Sequence, residues 1–263
     1  MQLIDTHTHL FVEQFDEDRA EAVQRAIDAG ITKFFLPHID SETTEAFYEL
    51  CHQFPQYMFP LMGVHPSSIK EDYKKELDHV FKQYEIVKDR IPQAKFYGVG
   101  EIGIDLYWDK THLKEQQDAF IQQLLFAKDQ QLPIIIHARD SFNELFELVD
   151  KHNDDKLTGI FHCFTGNEQQ AQHIIDYGGF KMGLGGVLTF KNSGLDKVVK
   201  QFDLSHFVLE TDSPYLAPTP HRGKRNESTY LTLVAQKLAN VFETDLKTVA
   251  DLTTQNAKAI FGI

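Results

Sequence analysis

The chain has 263 residues, 42% of them hydrophobic and 25% charged, with a formal charge of −13 at pH 7. That composition suits a globular protein with a sizeable core, and the acidic excess argues against a wide cationic nucleic-acid surface, leaving local basic patches or bound cations to hold phosphate. No window offers the roughly 20 apolar residues of a membrane span, the start MQLIDTHTHL lacks the basic-then-apolar order of a secretory leader, and Cys51 and Cys163 form no CxxC. The expected location is cytoplasmic, with no membrane partner.

Short apolar runs alternate with helical patterns along the whole chain, the mark of repeated βα units and a parallel sheet. The predicted strands are Leu3 to His7, Lys33 to Pro37, Met58 to Val64, Phe96 to Ile102, Pro133 to His137, Gly159 to Phe164, Phe180 to Leu184 and Phe207 to Thr211. Between the first two, Asp18 to Ala29 reads as a helix, with Val23, Ala26 and Ile27 at helical spacing and Gly30 as its stop. Capping-box spacings recur at Asp18 with Glu21, Ser141 with Glu144 and Asn167 with Gln170. Helical segments at Thr229 to Val241 and Leu246 to Ile260 close the chain. Eight such units predict an α/β fold, a (β/α)8 TIM barrel forming a single domain over residues 1–263. A doubly wound open sheet is the alternative, because periodicity does not show whether strand eight pairs with strand one.

In a barrel the chemistry sits at the C-terminal ends of the strands. The first strand leads into Asp5, His7 and His9, and alternate residues of an extended segment face one side, which aims both imidazoles at one spot. The third ends GVHP with His65, the fourth GVGEIGID with Glu101 in a glycine-rich apolar run, and the fifth PIIIHAR with His137 and Arg139. The sixth ends GIFHCFTG with His162, and the eighth VLETDSP with Glu210 and Asp212. Singly, each has a structural use: an imidazole bonding a carbonyl, Glu101 pairing with Arg139, Asp212 opening a turn. Together, His7, His9, His137, His162, Glu101 and Asp212 at one barrel mouth would each need a separate partner unless a cation served them in common. Nitrogen and oxygen donors without thiolate suit Zn, Mn, Fe or hydrated Mg. So many ligands exceed what one catalytic ion holds while keeping positions open for water and substrate, which points to two ions.

In order and across nearly the full length, DTHTHL, GVHP, GEIGID, IIIHAR, HCFTG, LETDSPYLAP and the RGKRNE that follows resemble the TatD family of metal-dependent deoxyribonucleases, within the amidohydrolase-like barrels. Many barrel hydrolases share the paired-histidine opening; the whole series is far more specific. The resemblance implies that His7, His9, Glu101 and Asp212 hold one ion and that Glu101, His137 and His162 hold the other, with Glu101 bridging. It implies two divalent metal ions per chain, Mg or Mn for activity with Zn or Fe as alternatives, and DNA or another nucleotide-bearing phosphodiester as substrate. Related barrels often bridge their metals with a carbamylated lysine, so Glu101 in that place points away from the urease and dihydroorotase type. Two positions depart from the family pattern: Ser228 follows Asn226-Glu227 where proline is common, and Gly185 replaces a commoner polar residue. Neither touches the inferred ligands; both bear on substrate preference.

The expected reaction is exonucleolytic hydrolysis of a phosphodiester by a metal-activated water, with Asp212 and Glu101 as catalytic carboxylates and Asp212 as general base. His65 is assigned to the phosphate or leaving group, against a hydrogen bond beside Pro66, and Glu210 to orienting a histidine. The locally basic loop SPYLAPTPHRGKRNES offers Arg222, Lys224 and Arg225, and GLGGVLTFK offers Lys191, the two loops forming one phosphate cradle. Tyr107 and Trp108 are read either as a stacking surface for a base or as packing against the rim. Two competing functions stand beside the nuclease: a deacylase of aminoacyl-tRNA or another ester or amide, using the same water, and a noncatalytic metal-binding barrel. The second conflicts with so open a ligand set, since a structural ion takes a closed shell. Oligomeric state is left open.

Overall fold

The computed structural model describes residues 1–263. In chain order the elements are β1 (Leu3–Asp5), α1 (Arg19–Asp28), β2 (Ile31–Pro37), α2 (Thr44–Gln53), β3 (Met58–Leu61), α3 (Tyr73–Arg90), β4 (Val99–Asp105) and α4 (Leu113–Gln130). They continue with β5 (Ile134–Arg139), α5 (Phe142–His152), β6 (Gly159–Phe161), α6 (Glu168–Asp176), β7 (Phe180–Leu184), α7 (Leu195–Val199), β8 (Phe207–Leu209), α8 (Leu231–Phe242) and α9 (Leu246–Phe261). β1 to β3 form one parallel ladder and β4 to β8 another. Backbone hydrogen bonds bridge both gaps. Between β3 and β4, the Tyr97 N–H donates to Pro60 (2.9 Å), Met62 to Gly98 (3.2 Å) and Gly100 to Met62 (3.3 Å). Between β8 and β1, Thr6 donates to Leu209 (3.0 Å), and beyond the strands Asp212 donates to His7 (2.9 Å) and His9 to Ser213 (2.8 Å). The sheet therefore closes on itself as a TIM barrel, and the open doubly wound alternative is set aside.

Strand limits differ from the sequence expectation in an informative way. β1, β3, β6 and β8 stop two or three residues early, because beyond Asp5, Leu61, Phe161 and Leu209 the chain leaves the regular ladder to carry polar side chains. Thr8 and Ser213 still form an isolated parallel bridge there. β4 runs from Val99 to Asp105, not from Phe96 to Ile102. Its glycines are not turn signals: a Cβ at Gly100 would collide with Ile135, so glycine allows β4 and β5 to approach closely. Of the three capping boxes, Asn167 with Gln170 forms, whereas Asp18 and Ser141 make no cap hydrogen bond. Stronger partners take both side chains. Asp18 accepts two bonds from Arg225 (2.6 and 2.9 Å) and one from Arg25 (2.9 Å), and Ser141 Oγ donates to the Ile104 carbonyl (2.6 Å).

Alternation along the strands sorts the core into two layers. Leu3, Phe34, Leu36, Ile134, Ile136, Phe161 and Phe207 pack outward against the helices. Ile4, Phe35, Phe59, Leu61, Ile135, Ile160 and Val208 fill the barrel, joined by Ala257 and Phe261 of α9. Ile135, Ile160 and Val208 each stand two residues before a site residue, His137, His162 and Glu210, so this apolar layer is the floor of the site. Phe261 stacks on Phe35 with ring centroids 3.6 Å apart, plugging the barrel from below. No helix is long and apolar enough to cross a membrane. Phe35→Ala should lower unfolding stability by about 3–5 kcal/mol, read from a urea titration; a loss under ~1 kcal/mol would show that α9 does not seal the barrel.

Candidate metal centre

Glu101 lies in the middle of β4, 1% exposed, and its backbone N–H donates to the His38 carbonyl (3.2 Å). Its two oxygens face different partners. Oε2 lies 3.0 Å from His7 Nε2 and 3.4 Å from His9 Nε2. Asp212 Oδ1 stands 3.7 and 3.6 Å from the same two nitrogens, which are 3.2 Å from each other. Donor atoms around a four-coordinate cation at ~2.1 Å sit about 3.4 Å apart, and this group has that spacing. Glu101 Oε2 is also buried without a hydrogen-bond partner. The residues present therefore fit a cation. Asp212 reaches the group because its backbone takes φ of +56°, a left-handed turn that aspartate tolerates better than most residues.

Oε1 of Glu101 faces a second set. His137 Nδ1 lies at 2.7 Å, His162 Nε2 at 2.8 Å and His65 Nε2 at 3.4 Å. Groups able to hold an ion are His7, His9 and Asp212, then His7, Glu101 and His162, then His65, Glu101 and His137. Each imidazole of this second set is backed by another group. His137 Nε2 bonds Asp105 Oδ2 (3.0 Å), which presents Nδ1 to Glu101. His162 Nδ1 lies 3.3 Å from Glu210 Oε1, off the line of a hydrogen bond, while the same Glu210 oxygen accepts the Cys163 N–H. Gly183 makes room for Glu210, since any Cβ there would strike its carboxylate. His65 Nδ1 is bonded to Ser67 Oγ (2.7 Å), leaving Nε2 toward the centre.

The predicted site residues do not all arrive. His7, His9, Glu101, His137, His162 and Asp212 converge, with His65 beside them. Arg139 does not pair with Glu101; its guanidinium lies over the Tyr107 ring at 3.9 Å. Arg225 is not free for phosphate, because Asp18 holds it and is in turn kept well below the usual carboxylate range, chiefly by that hydrogen bond. Arg222 is exposed and stacks on Phe190 (3.5 Å), next to exposed Lys191. The loops after β7 and β8 do meet there, where the Thr219 N–H donates to Thr189 Oγ1 (2.8 Å).

Three residues were missed. Asp105 shares the inward face of β4 with Glu101, which GEIGID encodes at even spacing once the strand is placed correctly. Asp5 was seen but given no role; buried, it accepts from the His7 N–H (3.3 Å), the Thr211 N–H (3.0 Å) and Thr211 Oγ1 (2.6 Å), tying β1 to the segment that carries Asp212. His38 bonds the Gly63 carbonyl through Nδ1 (2.7 Å) and Thr44 Oγ1 through Nε2 (2.9 Å), a neutral pairing that burial supports by holding it down to about 4. Ser228, fully buried, donates to Thr8 Oγ1 (3.2 Å), between the two histidines of the opening segment. That departure from the family pattern thus packs behind the histidine pair.

Charge in the cluster is shared among buried groups. Burial works to raise Glu101, but His162, His7, His65 and His137 around it hold its carboxyl well below the usual range. Asp212 is lowered likewise: burial opposes ionisation, and the His9 hydrogen bond with the charges of His162 and His7 overcomes it. Burial works to lower His9, yet Asp212 and Glu101 bring it up to about 9. His162 and His137 are raised against burial by their carboxylates, while burial keeps His7 and His65 low. A group raised from 6.5 to about 9 contributes stability that is complete below 6.5 and lost as pH rises through 9. The chelated protein should therefore lose stability between those two pH values, and a saturating divalent cation should remove the loss by replacing the protons. Urea midpoints with and without chelator test this; a midpoint independent of pH in the chelated protein would show that the imidazoles are neutral there.

Comparison with known proteins agrees with this geometry. The family model described as TatD related DNase matches residues 4–262. YabD of Bacillus subtilis (strain 168), described as an uncharacterized metal-dependent hydrolase, is 33% identical over 262 residues, 99% of each chain. A Salmonella typhimurium protein named 3'-5' ssDNA/RNA exonuclease TatD is 28% identical over 267 residues, again 99% of each. Among solved structures, the TatD homolog YJJV from Escherichia coli K12 superposes with a TM-score of 0.88 at 28% identity, over 99% of this chain and 98% of that one. With a family model spanning nearly every residue and a close full-length relative, this chain belongs to the TatD family of metal-dependent hydrolases.

Proposed function

We propose that residues 1–263 form one catalytic domain, a two-metal exonuclease that hydrolyses phosphodiester bonds of DNA. The observation that carries the reading is the division of Glu101, whose Oε2 faces His7 and His9 while Oε1 faces His137 and His162. His7, His9, Asp212 and Glu101 would hold one divalent ion; Glu101, His137 and His162 would hold the other. The donors are imidazole and carboxylate, which suits Mg or Mn in the active enzyme and accommodates Zn or Fe. The name of the Salmonella relative, a single-strand DNA and RNA exonuclease, supports a nucleic-acid substrate. When bound, the ions would offset charge on the phosphoryl oxygens and acidify the attacking water.

The chain's own residues do the rest. Asp212, its side chain 14% exposed at the mouth and held as a carboxylate, accepts the proton of the attacking water as general base. Glu101, without access to solvent, fixes the separation of the two histidine sets. His65, fixed through Nδ1 and 16% exposed, turns Nε2 to a phosphoryl or leaving-group oxygen. Arg222 and Lys191, on the two loops that meet beyond β7 and β8, hold phosphates further along the strand.

Chelation followed by reconstitution with Mg, Mn, Zn or Fe, with end-labelled DNA and RNA as substrates and an aminoacyl ester in parallel, tests the reading. Release of mononucleotides from one end of DNA is expected, and Asp212→Asn should lower turnover about 10²–10⁴-fold with an unchanged far-ultraviolet spectrum. Wild-type turnover in that variant at saturating metal would remove Asp212 as the base. Ester cleavage with no nucleotide release under any metal would replace the nuclease by a deacylase.

A further inference from the structure

A cleft of about 530 Å³ opens beside the histidine cluster. Its walls include Arg139, two residues after His137 on β5, and Gly166, four after His162; none of the imidazoles lines it. Tyr107 forms one edge, with Trp108 next to it, the two rings in edge contact at 4.8 Å. Arg139 places its guanidinium 3.9 Å from the Tyr107 ring centre and 5.3 Å from that of Trp108.

Three features set this corner apart. Trp108 is 73% exposed and Tyr107 55%, so neither ring is spent on the core. Arg139 makes no ion pair, although the chain carries a formal charge of −13 and most of its other arginines, Arg19, Arg25, Arg90 and Arg225, are paired with carboxylates. Asp105 joins the corner to the centre, since Oδ1 accepts the N–H groups of Tyr107 (3.0 Å) and Trp108 (3.4 Å) while Oδ2 takes His137 Nε2 (3.0 Å). The aromatic turn is thereby held at a fixed offset from the candidate metal ligand.

An open indole face beside an unpaired guanidinium matches a stacking base followed by a phosphate. We propose that Trp108 and Arg139 form a nucleotide subsite, in which the unpaired base flanking the scissile phosphodiester stacks on the indole and its phosphate meets the guanidinium. The proposal rests on the nuclease reading above and names what that site grips. A base within a duplex has both faces covered by its neighbours, so the subsite selects single-stranded ends.

Trp108 is the only tryptophan in the chain, so its fluorescence reports the subsite directly. In the full chain carrying Asp212→Asn, with Mg present, a short oligothymidylate should quench that emission saturably, and an abasic phosphodiester of equal length should not. In the otherwise wild-type enzyme, Trp108→Ala should raise KM for the oligothymidylate about tenfold with kcat within about twofold, and Trp108→Phe should recover most of the loss. Arg139→Gln should reduce the slope of log affinity against log salt by about 0.7. Oligothymidylate hydrolysis with unchanged KM in Trp108→Ala, together with no quenching, would overturn the subsite and leave the nuclease standing. Absence of phosphodiester hydrolysis with every metal would overturn the nuclease and the subsite with it.

Discussion

A carboxylate removed from water is costly unless several groups share its charge, and Glu101 is the point at which this fold meets that cost. It sits mid-strand in β4, reached only because glycines let β4 and β5 close up around it. Every imidazole of the centre approaches one of its two oxygens. On the two-metal reading proposed above, two half-sites would share this side chain, their separation set by the width of a carboxylate. Moving Glu101 would uncouple both halves at once, whereas displacing any single histidine would disturb one.

Behind the converging side chains stands a ring of further carboxylates. Asp5 ties the segment of His7 to that of Asp212, Asp105 orients His137, and Glu210 sits against His162. This arrangement would also reconcile an acidic protein with the polyanionic substrate proposed for it. On the reading proposed above, divalent cations held at the barrel mouth would invert the local sign that a phosphate meets. A broad basic surface is then unnecessary, and two arginines without an ion pair, Arg139 and Arg222, lie over aromatic rings, Arg139 at the end of β5 and Arg222 on the loop after β8.

Folding and function draw on the same alternation of the strands. Ile135 and His137, Ile160 and His162, Val208 and Glu210 are paired two residues apart, so the register that buries the apolar floor also presents the polar layer above it. A slip in pairing would expose the floor and withdraw the ligands together. At the other end of the barrel, Phe261 of the last helix stacks on Phe35, so the final turn of the chain seals the layer on which the site rests.

The sequence by itself determined the eight βα units and pointed to the six residues that converge, because alternation and helical period are local properties; that the sheet closes was decided by the pairing of β8 with β1. It did not determine the limits of β4, which the apolar pattern places at Phe96 to Ile102, three residues too early, and so left Asp105 outside the strand. It gave Arg225 to the substrate and Asp18 and Ser141 to helix caps, whereas partners remote in the chain, Asp18 for Arg225 and the Ile104 carbonyl for Ser141, claimed those groups. Which oxygen of Glu101 faces which histidine, and that Arg139 covers an aromatic ring instead of pairing with an acid, were decided only by barrel closure. Hydrogen bonds and charges act through space, and only the closed tertiary structure sets those distances.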